Sequence, residues 1–134
     1  MIIDRGCEFL VACLCAEWCD TCREYKPGFE SLEKEFTGSQ FLWVDIEDNA
    51  SWCDDFEVTN FPTIIIQRGE LVLFFGVMLP HLGHVRKMLE TFMKQSSAES
   101  RAYAHDMEER RNWQTRSNVR AALSAAQLGS SPPA

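Results

Sequence analysis

Two cysteines, Cys19 and Cys22, stand three positions apart where an apolar, strand-like run gives way to a helical one. That placement constrains both the architecture and the chemistry open to the chain. Upstream, residues 8–15 are short in span, apolar and strand-compatible. Downstream, Tyr25, Phe29, Leu32 and Phe36 recur at helical spacing. Cys19 therefore falls in the first turn of a helix, where unsatisfied N–H groups and the positive dipole end favour an anion and a thiol ionises more readily. Cys22, one turn on, is close enough to close a disulfide with it. A Cys-x-x-Cys pair is also half of a common zinc site, and Cys13 and Cys15 would supply the other two ligands. Strand cysteines that point into a core are poorly placed for a tetrahedral cage, so the strand-then-helix context favours redox chemistry over metal binding, and no metal or organic cofactor is expected.

Some forty residues later Phe61-Pro62-Thr63 leads into the very apolar run Ile64-Ile65-Ile66-Gln67. Other marks stand in the same order: Trp18 directly before the first cysteine, Pro27 five residues after the second, Val44-Asp45-Ile46 at a strand end, and Gly76 after an apolar strand. Over about residues 8–95 this pattern resembles the thioredoxin family. The resemblance implies an α/β, thioredoxin-like fold with a four-stranded mixed sheet, βαβ then ββα, flanked by helices. It implies a cis bond between Phe61 and Pro62, facing the cysteine pair. It also implies thiol–disulfide exchange on protein disulfides, with Cys19 and Cys22 catalytic and Trp18, Asp20, Thr21, Phe61 and Pro62 contacting substrate. An external reductant, such as a thioredoxin reductase or glutathione, is then required to restore the dithiol.

The chain departs from the family where mechanism is concerned. The strand position six residues before the first cysteine, usually a buried acid, is Cys13, and the lysine that accompanies that acid corresponds to Trp43. Glu17, water or the substrate would have to take the proton of Cys22 instead. Asp-Thr separates the cysteines, and the Asp20 carboxylate beside Cys19 disfavours a second negative charge there. The missing acid also motivates an alternative reading: a binding or adaptor module on the same fold, using its groove or its tail, with little redox activity.

The coarse order read from the sequence is strand (8–15), helix (20–36), strand (40–46), short helix (49–56), strand (63–67), strand (71–76) and helix (80–95), with a tight hairpin at Arg68-Gly69-Glu70. Few residues precede the first strand, so one sheet edge is expected to lack a covering strand. At 134 residues and 46% hydrophobic content there is enough chain for one real core. The organisation expected is a thioredoxin-like domain over 1–95 and an extension over 96–134. In the extension, residues 96–100 read as a linker and 129–134 as a disordered end. Between them Tyr103, Met107, Arg110, Trp113, Val119, Leu123 and Ala126 suggest one or two amphipathic helices, partly frayed.

Charge and composition narrow the setting. The net charge of −7 arises from eight net negative charges in residues 1–96 and one net positive in 97–134, which argues against nucleic acid as a partner. No run of eighteen apolar residues occurs and the start lacks a secretory pattern, so neither membrane insertion nor export is expected and the cytoplasm is. Cys13 and Cys15, two apart on a strand, read as small core residues facing one side. Cys7 and Cys53 read as incidental, and His81 and His84 as capping or surface residues of the last helix.

Overall fold

The computed structural model describes residues 2–56, 58–77 and 82–129. The elements run β1 (Phe9–Cys15), α1 (Asp20–Glu35), β2 (Gln40–Asp45), α2 (Ala50–Cys53) continued by a 3₁₀ turn (Asp54–Phe56), β3 (Thr63–Arg68), β4 (Leu71–Val77), α3 (Leu82–Lys94), α4 (Ser97–His105), α5 (Glu108–Arg116) and α6 (Val119–Gly129). The strands form one sheet in the order β2-β1-β3-β4. β1 and β2 pair in parallel across α1, and the remaining pairs are antiparallel. The βαβ and ββα halves expected from the sequence are thus present, and their ends fall within two residues of the expected ones.

All seven residues of β1 are buried, because helices cover both faces of the sheet and a central strand then has no polar side. Phe9, Val11, Cys13 and Cys15 face one layer with α1, α3 and Ala104 of α4. Leu10, Ala12 and Leu14 face the other, with Trp52, Phe56, Val119 and Leu123. Gly69 (φ 56°) supplies the left-handed residue of the two-residue β3–β4 turn. Pro27 lies inside α1, where it removes one backbone donor.

The extension corrects the sequence-based expectation. Residues 96–100 are not a linker: Ser96 caps α4, its hydroxyl accepting the Glu99 N–H at 3.1 Å while the Glu99 carboxylate accepts the Ser96 N–H at 2.9 Å. Three helices follow instead of one or two frayed ones, and they are docked on the sheet. Gln114 of α5 uses its amide like a strand, accepting the Val72 N–H and donating to the Val72 carbonyl, each at 2.8 Å, along the outer edge of β4. Fully buried Gln67 at the end of β3 accepts the N–H groups of Val119 (2.6 Å) and Arg120 (3.3 Å), capping α6. On the opposite face Arg68 donates to the Gln95 carbonyl and the Ser100 hydroxyl at the α3–α4 junction. Trp113 packs edge-on against Phe74, so it covers the protein's own sheet. The expectations for 130–134 and His81 lie outside the described residues; His84 is exposed on α3.

Candidate active site

The site forms where β1 ends, α1 begins and the segment before β3 passes by. Cys19 is the N-cap of α1, with extended backbone (φ −86°, ψ 114°), and its Sγ accepts the Cys22 N–H at 3.4 Å. A sulfur thus occupies the position in which a cap satisfies one of the orphan donors of the first turn, and developing negative charge on it meets the helix dipole. Cys19 is half-buried and Cys22 is buried at 1% exposure. Burial pushes the Cys22 thiol far above the ordinary thiol range, and the neighbouring thiols of Cys15 and Cys19 add to the effect.

Trp18 is 65% exposed and meets Phe61 edge-on, with ring centroids 5.7 Å apart at 84°. This contact ties the β1–α1 loop to the segment preceding β3, and Phe61 and Cys19 both pack on the same core face. The Phe61–Pro62 peptide bond is cis, and Pro62 is buried. Thr63 fixes the approach to β3 by donating its hydroxyl to the Asn60 carbonyl at 2.7 Å. Five of the residues singled out in the sequence, Trp18, Cys19, Cys22, Phe61 and Pro62, therefore gather at one end of the sheet. Asp20 and Thr21 point outward on the first turn of α1. The Asp20 carboxylate is not the isolated charge its position suggests, because the Arg23 guanidinium pairs with it one turn on.

The two departures from the expected pattern lie side by side. Cys13 of β1 is the register partner of Trp43 of β2. A cleft beside them is lined by Cys15, Glu17, Cys22, Lys26, Trp43 and Asp45. Lys26 sits one helical turn after Cys22 with its ammonium 5.7 Å from the Trp43 ring centre. The sequence reading missed Lys26, although its i+4 relation to Cys22 was the available signal. Deeper in, Cys13 Sγ and Cys15 Sγ are 3.4 Å apart. Both are core residues on one face of β1. The Cys13 hydrogen bond and burial hold the Cys15 thiol protonated well beyond the ordinary range. The buried Tyr25 hydroxyl has no hydrogen-bond partner, and burial above all raises it too, with Cys13 and Cys15 nearby as lesser causes. Among the described residues no group of three or more His, Cys, Asp or Glu is arranged to hold a metal ion. None of the described helices is long and apolar enough to cross a membrane.

The sequence profile of the Thioredoxin family matches residues 2–76. The chain belongs to the Thioredoxin family. A thioredoxin of Mycoplasma genitalium is 31% identical over 51 residues, 38% of this chain and 50% of that protein. A protein named putative thioredoxin 2 of Streptomyces coelicolor is 25% identical over 104 residues, 72% of this chain and 78% of that one. The chain thus spans only half the length of the first of these relatives. The crystal structure of thioredoxin from Trypanosoma brucei brucei superposes with a TM-score of 0.60 at 27% identity, covering 67% of this chain and 80% of that one. This member of the family accordingly has the thioredoxin-like fold.

Proposed function

We propose that this thioredoxin-family chain is a thiol–disulfide oxidoreductase that acts on protein disulfides through Cys19 and Cys22. Family membership supports thiol–disulfide exchange in general. The observation that carries the finer reading is the N-cap sulfur of Cys19, half-exposed and receiving the Cys22 N–H, with the buried Cys22 thiol one turn behind it. The Cys19 thiolate attacks one sulfur of a substrate disulfide, forming a mixed disulfide and releasing the other sulfur as a thiolate. Cys22, once deprotonated, attacks Cys19 Sγ and expels the second substrate sulfur, leaving a Cys19–Cys22 disulfide. Two electrons from an external reductant, a thioredoxin reductase or glutathione, return the pair to thiols.

Trp18, Phe61 and Pro62 offer the apolar contact for substrate, and Asp20 and Thr21 border it on the helix side. The proton of Cys22 leaves through the cleft, where Glu17, Asp45 and Asp48 are the carboxylates at hand. We assign the activity to a reducing compartment, the cytoplasm, and to residues 1–95, with 96–134 as an extension. Reduction of insulin by the purified chain with dithiothreitol as electron source tests the proposal. The wild type should accelerate it and Cys19→Ser should not. A wild type no faster than dithiothreitol alone would overturn the enzymatic reading in favour of a binding module.

A further inference from the structure

Four of the six thiols belong to one cluster, and the cycle just described uses two of them. Cys22 gives its N–H to Cys19 Sγ. Cys22 and Cys15 pack in the same buried cluster, where β1 and α1 meet. Cys15 Sγ in turn lies 3.4 Å from Cys13 Sγ. Cys15 and Cys22 also line the same cleft, although each is nearly fully buried, at 2% and 1% exposure. A small core residue would fill the Cys15 position as well, but only a sulfur can take up the disulfide of its neighbour.

We propose that Cys15 is a third redox thiol, which in the oxidised protein attacks Cys22 Sγ, breaks the Cys19–Cys22 bond and leaves a Cys15–Cys22 disulfide with Cys19 free. The inference rests on the reading of Cys19 and Cys22 as the redox pair. The step is an exchange without net oxidation: one S–S bond forms, one breaks, Cys15 gives up a proton to water and Cys19 gains one. The sulfur that leaves is the N-cap sulfur, whose charge the Cys22 N–H and the helix dipole receive. Cys13 is the poorer partner for Cys15 despite its contact. Residues two apart on a strand have Cα atoms about 6.6 Å apart with parallel Cβ vectors, the outer limit of disulfide geometry. Cys15 and Cys22 come from different elements, β1 and α1, that meet in one core cluster and border one cleft, so their spacing is not fixed by a single strand.

The consequence is an oxidised protein that keeps a nucleophile at its surface. With Cys22 engaged from behind, a substrate captured on Cys19 is not released by the usual resolving attack. The chain can then hold a mixed disulfide until Cys15 returns Cys22 to its outer partner. The groups that set the rate are Cys13 on the same strand, Cys19, Cys22 and Tyr25 on α1, and the charged groups of the cleft, Glu17, Lys26 and Asp45 with Arg23 and Asp48 beside them.

The test oxidises the full chain with one equivalent of diamide. Exchange is quenched in acid at intervals, the remaining thiols are alkylated under denaturing acidic conditions, and each cysteine is read by peptide mass. Alkylation of Cys19 is expected to grow with time as that of Cys15 falls, while Cys22 stays protected throughout. Its rate should rise about tenfold per pH unit between pH 7 and 9, because the attacking species is a thiolate. In Cys19→Ser, glutathione disulfide should still drive a Cys15–Cys22 disulfide, seen as a loss of two thiols that Cys13→Ser preserves and Cys15→Ala abolishes. If Cys19 stays protected and Cys15 stays alkylated at every pH in the wild type, the relay is overturned while the Cys19–Cys22 cycle stands. If the wild type forms no intramolecular disulfide, the cycle falls and the relay with it.

Discussion

The Gln67 side chain donates to the Asn118 side-chain oxygen over 2.9 Å, joining the end of β3 to the start of α6 across 51 positions of sequence. The same amide accepts two N–H groups of α6. One buried amide near the end of β3 thus fixes where the last helix begins.

Replacing it should therefore cost more than its size implies. Gln67→Met keeps the volume but orphans the first donors of α6, and unfolding in urea should show a loss of about 2–4 kcal/mol. Amide exchange should accelerate in α6 well before it does in β3. A loss below about 0.5 kcal/mol would mean that the extension is held by apolar packing alone.

Gln114→Ala should free the outer edge of β4. The Val72 N–H and C=O lose their partners, and a stability loss of about 1–3 kcal/mol follows. Hydrogen exchange at the Val72 amide, measured against that of Ile65 in the middle of β3, reads the effect at the bond itself.

The buried thiols make the reduced protein sensitive to alkali. Cys15 and Cys22 have folded pKa values raised above those of the unfolded chain. Below the ordinary thiol range both states hold these protons and nothing is lost. Above about pH 8.5 the unfolded chain releases them first, so stability falls by about 1.4 kcal/mol per pH unit for each thiol still protonated in the fold. Denaturant midpoints between pH 8 and pH 10 should drop for the reduced wild type and drop less for Cys15→Ala.

Tyr25→Phe should be neutral or stabilising by up to about 1 kcal/mol, because it removes a buried hydroxyl without a partner. A marked destabilisation in thermal melts would show that the hydroxyl is satisfied in solution.

Cys22→Ser should leave the first attack intact and block resolution. Incubation with a disulfide-bonded protein should accumulate a mixed disulfide at Cys19, visible as a shifted band on non-reducing gels. Cys19→Ser should show none.

The family domain was legible in the sequence because its determinants are local or periodic. Strand β1 is a short apolar run, α1 shows its buried face at Tyr25, Phe29 and Leu32, and Gly69 marks the hairpin. The paired thiols and Phe61-Pro62 were legible for the same reason. The docking of the extension was not. It depends on Gln67, Arg68 and Gln114, polar residues whose partners lie 27 to 53 positions away and which, taken singly, look like surface. The Cys13–Cys15 contact was hidden differently: two cysteines on one strand face announce burial, but the approach of the α1 thiols follows from packing.

The grip of Gln114 on Val72 also decides how this sheet can grow. β4 is an edge of the order β2-β1-β3-β4, and a strand added beside it would have to displace Gln114 from Val72. Cutting the extension away would leave the Val72 N–H and C=O without partners and open that edge to another chain.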